Sequence, residues 1–380
     1  MVFSATAGRT AFPKLVLVLA LLSAPFVAGR NASWQVADLS AEPGTLVSGT
    51  LKIEDRPQSP GTLIPVTLIH GAQPGPTLAV IAGIHGFEYP GITALQQLRR
   101  RVDPAQLSGR LLLVHVANPP AFFGRSIYTS PADGLNLNRL FPGNPEGSVS
   151  ERIAHTLTTL VIEAADYLID LHAGDGNERL RPYVYMPETG NAAFDATARG
   201  LAEAFLLDTI VIDRTPVTAP DAARFTDMTA WSRGIPAITT ETGQLGSNDP
   251  EWVALALRGL ENVLRHLGML PGNPAPNKAV VWLEDFEVVP SPATGIFEAQ
   301  VRDGYFVAEG GVLGELLDLF GEPLATVHAP FAGVVNYVIG TPPVSEGEPV
   351  AMISRLRDTG PAEPSRAAGH PGTDVSESAR

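Results

Sequence analysis

TLAVIAGIHGFEYPGITALQQLRRR, residues 77–101, is the stretch on which the fold is read. Its first seven residues, TLAVIAG (77–83), form an unbroken apolar run, as expected for a strand buried on both faces. GITALQQLRRR (91–101) reads as a helix, and between the two sits His85-Gly86-Phe87-Glu88. The same alternation continues outward. LLLVHVA (111–117) is a second buried strand, residues 149–164 read as a second helix, and YLIDL (167–171) and AITT (237–240) supply further short strands. Strands alternating with helices predict an α/β fold with a mixed, largely parallel sheet flanked by helices. PGNPAPN (271–277) interrupts this texture. Beyond it come short alternating runs broken by Gly and Pro, expected to form a small all-β, barrel-like domain. Residues 313–319 are the one stretch there that could be helical. The expected organisation is a catalytic domain over 30–270, a linker over 271–278, the β-domain over 279–355 and a disordered tail over 356–380.

Composition narrows the function. The chain has 380 residues, 44% hydrophobic and 17% charged, so there is material for a sizeable core and no case for wholesale disorder. Its 37 Gly and 34 Pro predict many turns and long loops. A net charge of −14 argues against nucleic acid as a partner, because phosphate contacts need a basic face. Eleven acidic residues against one basic, Arg302, between residues 280 and 350 place most of that charge on the β-domain. With no cysteine, disulfides, thiolate metal sites and Cys nucleophiles are excluded, so a metal site must use His, Asp and Glu. At the amino terminus, Arg9 and Lys14 precede an apolar run over 15–28. The run is shorter than the roughly 20 residues a spanning helix needs and reads as a signal peptide over 1–29. An exported, periplasmic or extracellular protein with no stable membrane span after cleavage is the expectation.

The residues suited to chemistry gather at strand ends. His85 follows the strand over 77–83, His172 follows 167–171 and Glu241 follows 237–240. In open α/β sheets functional groups collect beyond the carboxyl ends of strands. Two imidazoles and one carboxylate give zinc three protein ligands and leave a fourth position for water. The His-x-x-Glu spacing lets one turn present His85 and Glu88 to the same ion. Neutral His and ionised Glu are available at pH 7, so metal binding is expected to need little protonation work. The plainer alternative makes His85 and His172 loop histidines satisfied by backbone carbonyls, the reading adopted for the other six. A second feature is the long segment NPPAFFGRSIYTSPADGLNLNRLFPG (118–143), without clear helix or strand period. Such loops are commonly functional. It carries Arg125, Asn138 and Arg139, and a guanidinium beside an amide suits capture of a carboxylate.

These residues together resemble the succinylglutamate desuccinylase/aspartoacylase family, within the zinc carboxypeptidase clan. The matching segments are AGIHGFEYPG (82–91), the loop 118–143, IDLHAGD (169–175) and ITTETG (238–243); residues 328–353 are similar to that family's carboxy-terminal domain. The likeness spans about residues 45–355. It implies one zinc per chain held by His85, Glu88 and His172, with zinc-activated water as nucleophile and Glu241 as general base and acid. It further implies Asn138 and Arg139 as the grip on a substrate carboxylate, and Arg125 as the group polarising the scissile carbonyl. Asp170, two residues before His172 and so on the same strand face, is expected either to orient that imidazole or to be a plain buried Asp hydrogen-bonded to backbone. The family often has Asp-Leu-Asn-Arg where this chain has Asn136-Leu137-Asn138-Arg139. That change is expected to alter hydrogen bonding within the loop and to leave the metal site untouched.

Three functions compete. The leading one is a zinc-dependent hydrolase cleaving an amide or ester bond of a small carboxylate, foremost an N-acyl amino acid. The second is an exported metallocarboxypeptidase acting on short peptides or cell-wall fragments. The third is a non-catalytic ligand-binding module on the same scaffold, against which retention of Glu241 weighs. A lipoyl or biotin carrier role for the β-domain is excluded, because the lysines are Lys14, Lys52 and Lys278 and none lies within 279–380. The β-domain is instead expected to act as a lid or as the assembly surface of a homo-oligomer.

Overall fold

The computed structural model describes residues 32–357 apart from Thr218 and Lys278. The expected signal peptide over 1–29 lies outside the described residues, as does the expected tail over 356–380 apart from Leu356 and Arg357, which are not a tail but the end of strand Pro349–Arg357, paired with Leu283 and Trp282. Strand Gln73–Ala82 forms the centre of the fold, and its side chains alternate between two cores. Val80 and Ala82 face a core shared with Ile92, Leu95 and Leu98 of helix Tyr89–Arg101 and Leu257, Leu260 and Leu264 of helix Pro250–His266. Ala79 and Ile81 face the other core, with Ile153 and Leu157 of helix Val149–Leu157 and Trp231 of helix Thr226–Trp231. A strand covered on both faces has no polar side to present, which is why its sequence is an apolar run rather than an alternation.

Thirteen strands join in one mixed sheet among the described residues. Its middle is parallel, with Ala237–Glu241, Tyr167–His172, Gln73–Ala82 and Ser108–Val114 side by side in that order. Antiparallel strands extend both flanks. The carboxy-terminal region is antiparallel: Val281–Pro290, Gly333–Ile339 and Pro349–Arg357 continue the large sheet, and a separate four-stranded sheet packs its apolar residues around Phe297, Leu313, Leu316 and Val350. Residues 313–319 are not helical. Strand Val312–Leu317 pairs with Gly295–Ala299 and Pro323–His328, and those partners outweigh the local Leu/Glu helix preference. No helix among the described residues is long and apolar enough to cross a membrane.

The segment 118–143 is more ordered than its sequence implies. Asn118 caps helix Pro119–Gly124 by accepting from Ala121 N, and Leu137–Arg139 forms one 3₁₀ turn. Both are too short to show a period. The segment is followed by a full capping box, in which Ser148 Oγ accepts from Glu151 N at 3.3 Å and Glu151 Oε2 accepts from Ser148 N at 2.8 Å. Ser148→Ala should therefore lower stability by about 1 kcal/mol, read as a shift in the denaturation midpoint at unchanged m-value.

Candidate active site

Three parallel strands end level with one another, and register sets what meets there. Glu241 pairs with His172 across adjacent strands, and Thr239 pairs with Asp170 two residues earlier. Side chains two apart on a strand share a face, so Asp170, His172, Thr239 and Glu241 all rise on the face covered by the loop 118–143 and helix Thr226–Trp231. His85 arrives from the neighbouring strand. Gly83 turns the chain away with φ +71°, and Gly86 lies so close to the loop that a Cβ would collide with the carbonyl oxygens of Ala121 and Ser126. Glu88 then stands at the amino end of helix Tyr89–Arg101.

The result is a buried group of His85, Glu88 and His172 whose ligand atoms lie within 4.8 Å of one another. His85 Nδ1 is 2.7 Å from Glu88 Oε1, and His172 Nδ1 is 3.0 Å from Oε2. The second approach is not aligned as a hydrogen bond, which leaves Oε2 a buried carboxylate oxygen with no hydrogen-bond partner. Two imidazoles converging on one such carboxylate are a donor set that fits a divalent cation of the zinc type. The outer nitrogens are held as metal-ligating histidines usually are: His172 Nε2 meets Asp170 Oδ2 at 2.9 Å, and His85 Nε2 meets Asn136 Oδ1 at 3.2 Å. Asn136 thus touches His85 of the candidate metal site directly. The departure from the family pattern, expected to be confined to the loop, instead makes the partner of His85 a neutral amide, which also accepts from Asn138 N at 2.9 Å.

The electrostatics depart from the expectation of freely available neutral imidazoles. Burial pulls the His172 imidazole down, but Asp170 and Glu88 together outweigh it and hold its pKa well above the ordinary value. His85 is likewise raised, with Glu88 overcoming burial. Burial pushes Glu88 up, but the two histidines outweigh it and bring the carboxyl down to about 2. The imidazoles of the metal-free group therefore hold protons to higher pH than an ordinary histidine, and a cation competes with those protons. Glu241 goes the other way. Burial is its largest cause and, with Glu88, Glu178 and Asp170 nearby, holds its carboxyl well above the ordinary range despite the pull of His172.

His85, Glu88, Asn136, His172, Glu178 and Glu241 open into one cavity of about 560 Å³. Asn138 and Arg139 line it. The Asn138 oxygen accepts from Thr226 N and Oγ1, both at 3.0 Å, so the remaining polar group of that amide is its donor nitrogen. The Arg139 guanidinium lies 4.6 Å over the Phe225 ring, donates to Asn138 O at 2.8 Å, and has no carboxylate partner among the described residues. Arg125 is not brought to the cavity. It ends helix Pro119–Gly124 in the left-handed conformation, φ 49°, with its side chain exposed. The loop presents Tyr128 instead, also left-handed at φ 56°, whose amide donates to Asp175 Oδ2 at 2.8 Å and whose hydroxyl donates to Glu178 Oε1 at 2.9 Å. Sequence reasoning missed Tyr128, Glu178, Asp213, Asp227 and Tyr337, all of which line the cavity. Asp175, which holds the Tyr128 backbone, lay inside a matched motif without being singled out.

Comparisons with known proteins show what the chain is similar to. Residues 74–267 match the model of the succinylglutamate desuccinylase/aspartoacylase catalytic domain. An N-alpha-acetyl-L-2,4-diaminobutyric acid deacetylase from Halomonas elongata is 33% identical over 301 residues, 77% of this chain and 86% of that protein. Among solved structures, the product-bound ectoine utilization protein EutE (DoeB) from Ruegeria pomeroyi superposes with a TM-score of 0.75 at 30% identity, covering 86% of this chain and 99% of that one. A succinylglutamate desuccinylase/aspartoacylase from Rhodobacter sphaeroides gives 0.73 at 28% identity, covering 83% and 96%. With its central domain matched and a third of its residues shared along most of a relative's length, the chain belongs to the succinylglutamate desuccinylase/aspartoacylase family.

Proposed function

We propose that the protein is a zinc-dependent deacylase that hydrolyses the amide bond of an N-acyl amino acid. The observation that carries this reading is the opening of the His85, Glu88 and His172 group into the same cavity as Glu241, Asn138 and Arg139. His85, Glu88 and His172 would hold the ion, which when bound supplies Lewis acidity to acidify water and polarise a carbonyl oxygen. Asp170 and Asn136 keep both imidazoles in fixed orientation throughout. Arg139 takes the substrate carboxylate, with the Asn138 amide donor beside it, and so holds the amide bond near Glu241. Glu241, whose Oε2 has no partner, accepts the proton of the attacking water and returns it to the leaving amine.

A small substrate is favoured over a peptide because the carboxy-terminal region walls the cavity, through Phe286, Tyr337 and Met352 on strands and Glu348 in the turn before the last strand. Its volume suits a compact ligand, and the Halomonas relative is named for a small Nα-acetylated amino acid. The test is to assay zinc-loaded protein against Nα-acetyl amino acids and short peptides. Hydrolysis of the former is expected, and a clear preference for peptides would overturn the reading. Arg139→Ala should raise KM about 10–100-fold, the loss of a charged hydrogen bond, with a smaller change in kcat.

A further inference from the structure

Amide hydrolysis puts negative charge on the carbonyl oxygen, and a site preorganised for it aims donors at that oxygen. The guanidinium assigned to this task by sequence, Arg125, is turned to solvent, while Arg139 and the Asn138 amide are committed to the substrate carboxylate. Several hydroxyls of the cavity wall are engaged with one another: Thr239 Oγ1 donates to Asp227 Oδ2 at 2.8 Å, Tyr185 Oη donates to Met352 Sδ at 3.2 Å, and Tyr183 Oη lies 3.2 Å from Tyr185 Oη. The hydroxyls of Tyr128 and Tyr337 stand beside Glu178. Tyr337 also neighbours Arg139, on the side of the carboxylate grip. Tyr128 neighbours the metal ligand His85, its ring meeting the imidazole edge-on with centroids 6.2 Å apart.

Tyr128 is held with unusual care. Its backbone is left-handed at φ 56°, a region that residues with a Cβ rarely occupy. Asp175 Oδ2 fixes it there by accepting from Tyr128 N at 2.8 Å, and Asp175 Oδ1 accepts from Gly176 N at 2.6 Å. The hydroxyl end is fixed as well: Glu178 Oε1 accepts from it at 2.9 Å, and Glu178 Oε2 accepts from Asp175 N at 3.1 Å. Both restraints come from the chain just past His172, so the phenol is tied to the element that carries a metal ligand. Strained residues that their surroundings over-determine cluster at functional sites. Glu178 adds a second feature. Burial pushes its carboxyl up to about 7 in the metal-free protein; the Asp175 amide and the Tyr128 hydroxyl oppose this, and the Asp175 and Glu88 charges reinforce it. A protonated Glu178 donates to the phenol oxygen, which leaves the Tyr128 O–H free for another acceptor.

We propose that Tyr128 is a catalytic residue whose O–H donates to the carbonyl oxygen of the scissile amide, with Glu178 as its positioning residue. A neutral donor then performs the task that the family resemblance assigns to an arginine. As the water oxygen bonds to the carbonyl carbon, the C=O π pair moves onto the carbonyl oxygen, and one water proton passes to Glu241. Tyr128 strengthens its hydrogen bond to that oxygen and keeps its own proton. When the pair returns to re-form C=O, the C–N bond breaks and Glu241 delivers its proton to the nitrogen. The second water proton stays with the new carboxyl group. Burial and the Glu178 charge raise the Tyr128 pKa, so the phenol remains a donor and does not ionise in competition. The hydrogen bond is worth most when the charge is greatest, so its effect falls on kcat rather than on KM.

This rests on the deacylase reading, and the experiment separates the two. On zinc-loaded protein, Tyr128→Phe removes only the hydroxyl and should lower kcat for an Nα-acetyl amino acid about 10²–10³-fold, the loss typical of one oxyanion donor. KM should change little. Calorimetry supplies a readout without turnover, using the phosphonamidate in which a tetrahedral methylphosphonyl group replaces the acetyl group. Tyr128→Phe should weaken its binding by a factor similar to the loss in kcat, and leave binding of the free amino acid product nearly unchanged. Glu178→Gln, whose amide can donate to the phenol oxygen, should retain about tenfold more activity than Glu178→Ala. Metal content and melting temperature control for folding. A near-wild-type kcat in Tyr128→Phe, equal weakening of phosphonamidate and product, or a loss confined to Tyr337→Phe overturns the assignment even if deacylation is confirmed. If wild type hydrolyses no Nα-acetyl amino acid, the deacylase reading fails and phosphonamidate binding decides. Binding that depends on the Tyr128 hydroxyl supports the donor on its own, and binding that is absent or independent of it overturns both.

Discussion

Glu241→Gln should lower kcat by about 10²–10⁴-fold while leaving metal content unchanged, the range expected when a positioned general base is removed. That loss corresponds to about 3–5 kcal/mol of transition-state stabilisation. The substitution keeps size and burial, so the effect belongs to proton transfer rather than packing. A stability measurement separates the two. Because the folded-state pKa of Glu241 is raised, the unfolded chain ionises first as pH climbs past about 4.3. The native state loses stability from that point until the folded pKa is passed. The neutral amide has no such penalty. Metal-free Glu241→Gln should therefore melt at or above metal-free wild type near neutral pH. A fully active variant would remove Glu241 from the mechanism, and an inactive one that also melts far lower would assign it a structural role.

His172→Ala should reduce bound zinc from about one per chain to background, measured by mass spectrometry of metals on the purified protein. It should also destabilise the fold. His172 bridges two buried carboxylates, through Nδ1 to Glu88 and Nε2 to Asp170. Removing the shared partner leaves both charges buried, at a cost of about 3–5 kcal/mol for a broken buried pair. The pH dependence of metal binding gives an independent check. Both imidazole pKa values are raised in the metal-free group, so metal competes with protons and apparent affinity should climb as pH rises through neutrality. Calorimetry in buffers of different ionisation enthalpy would register that proton release. Metal retained in His172→Ala would place the ion elsewhere.

The parts of this protein legible in its sequence are those whose signal is local. Strand Gln73–Ala82 announces itself because burial on both faces forces an apolar run. His85, Glu88, His172 and Glu241 stand out because parallel strands end together, so residues just past those ends converge whatever lies between them in the chain. Asn138 and Arg139 were found by motif and do face the cavity. Arg125 and Tyr128 show the limit. Three residues apart in one loop, they differ in that one backbone turns a side chain to solvent and the other is pinned by Asp175 and Glu178 from another strand region.

Residues 313–319 fail for a related reason, since sheet partners distant in sequence override a helical pattern. Asp213 and Asp227, both in the cavity wall, were beyond sequence altogether. Asp213 ends one strand and Asp227 begins a helix on the far side of a loop, and nothing in their spacing relates them to each other or to His172. Sequence alone determined the layered sheet and singled out His85, Glu88, His172 and Glu241 as candidates, because periodicity and strand-end placement are local signals, while the roles of ligand and general base are what the family resemblance implies. Tertiary structure alone decided what else faces the substrate, because a cavity wall is assembled from elements whose only relation is how their cores pack.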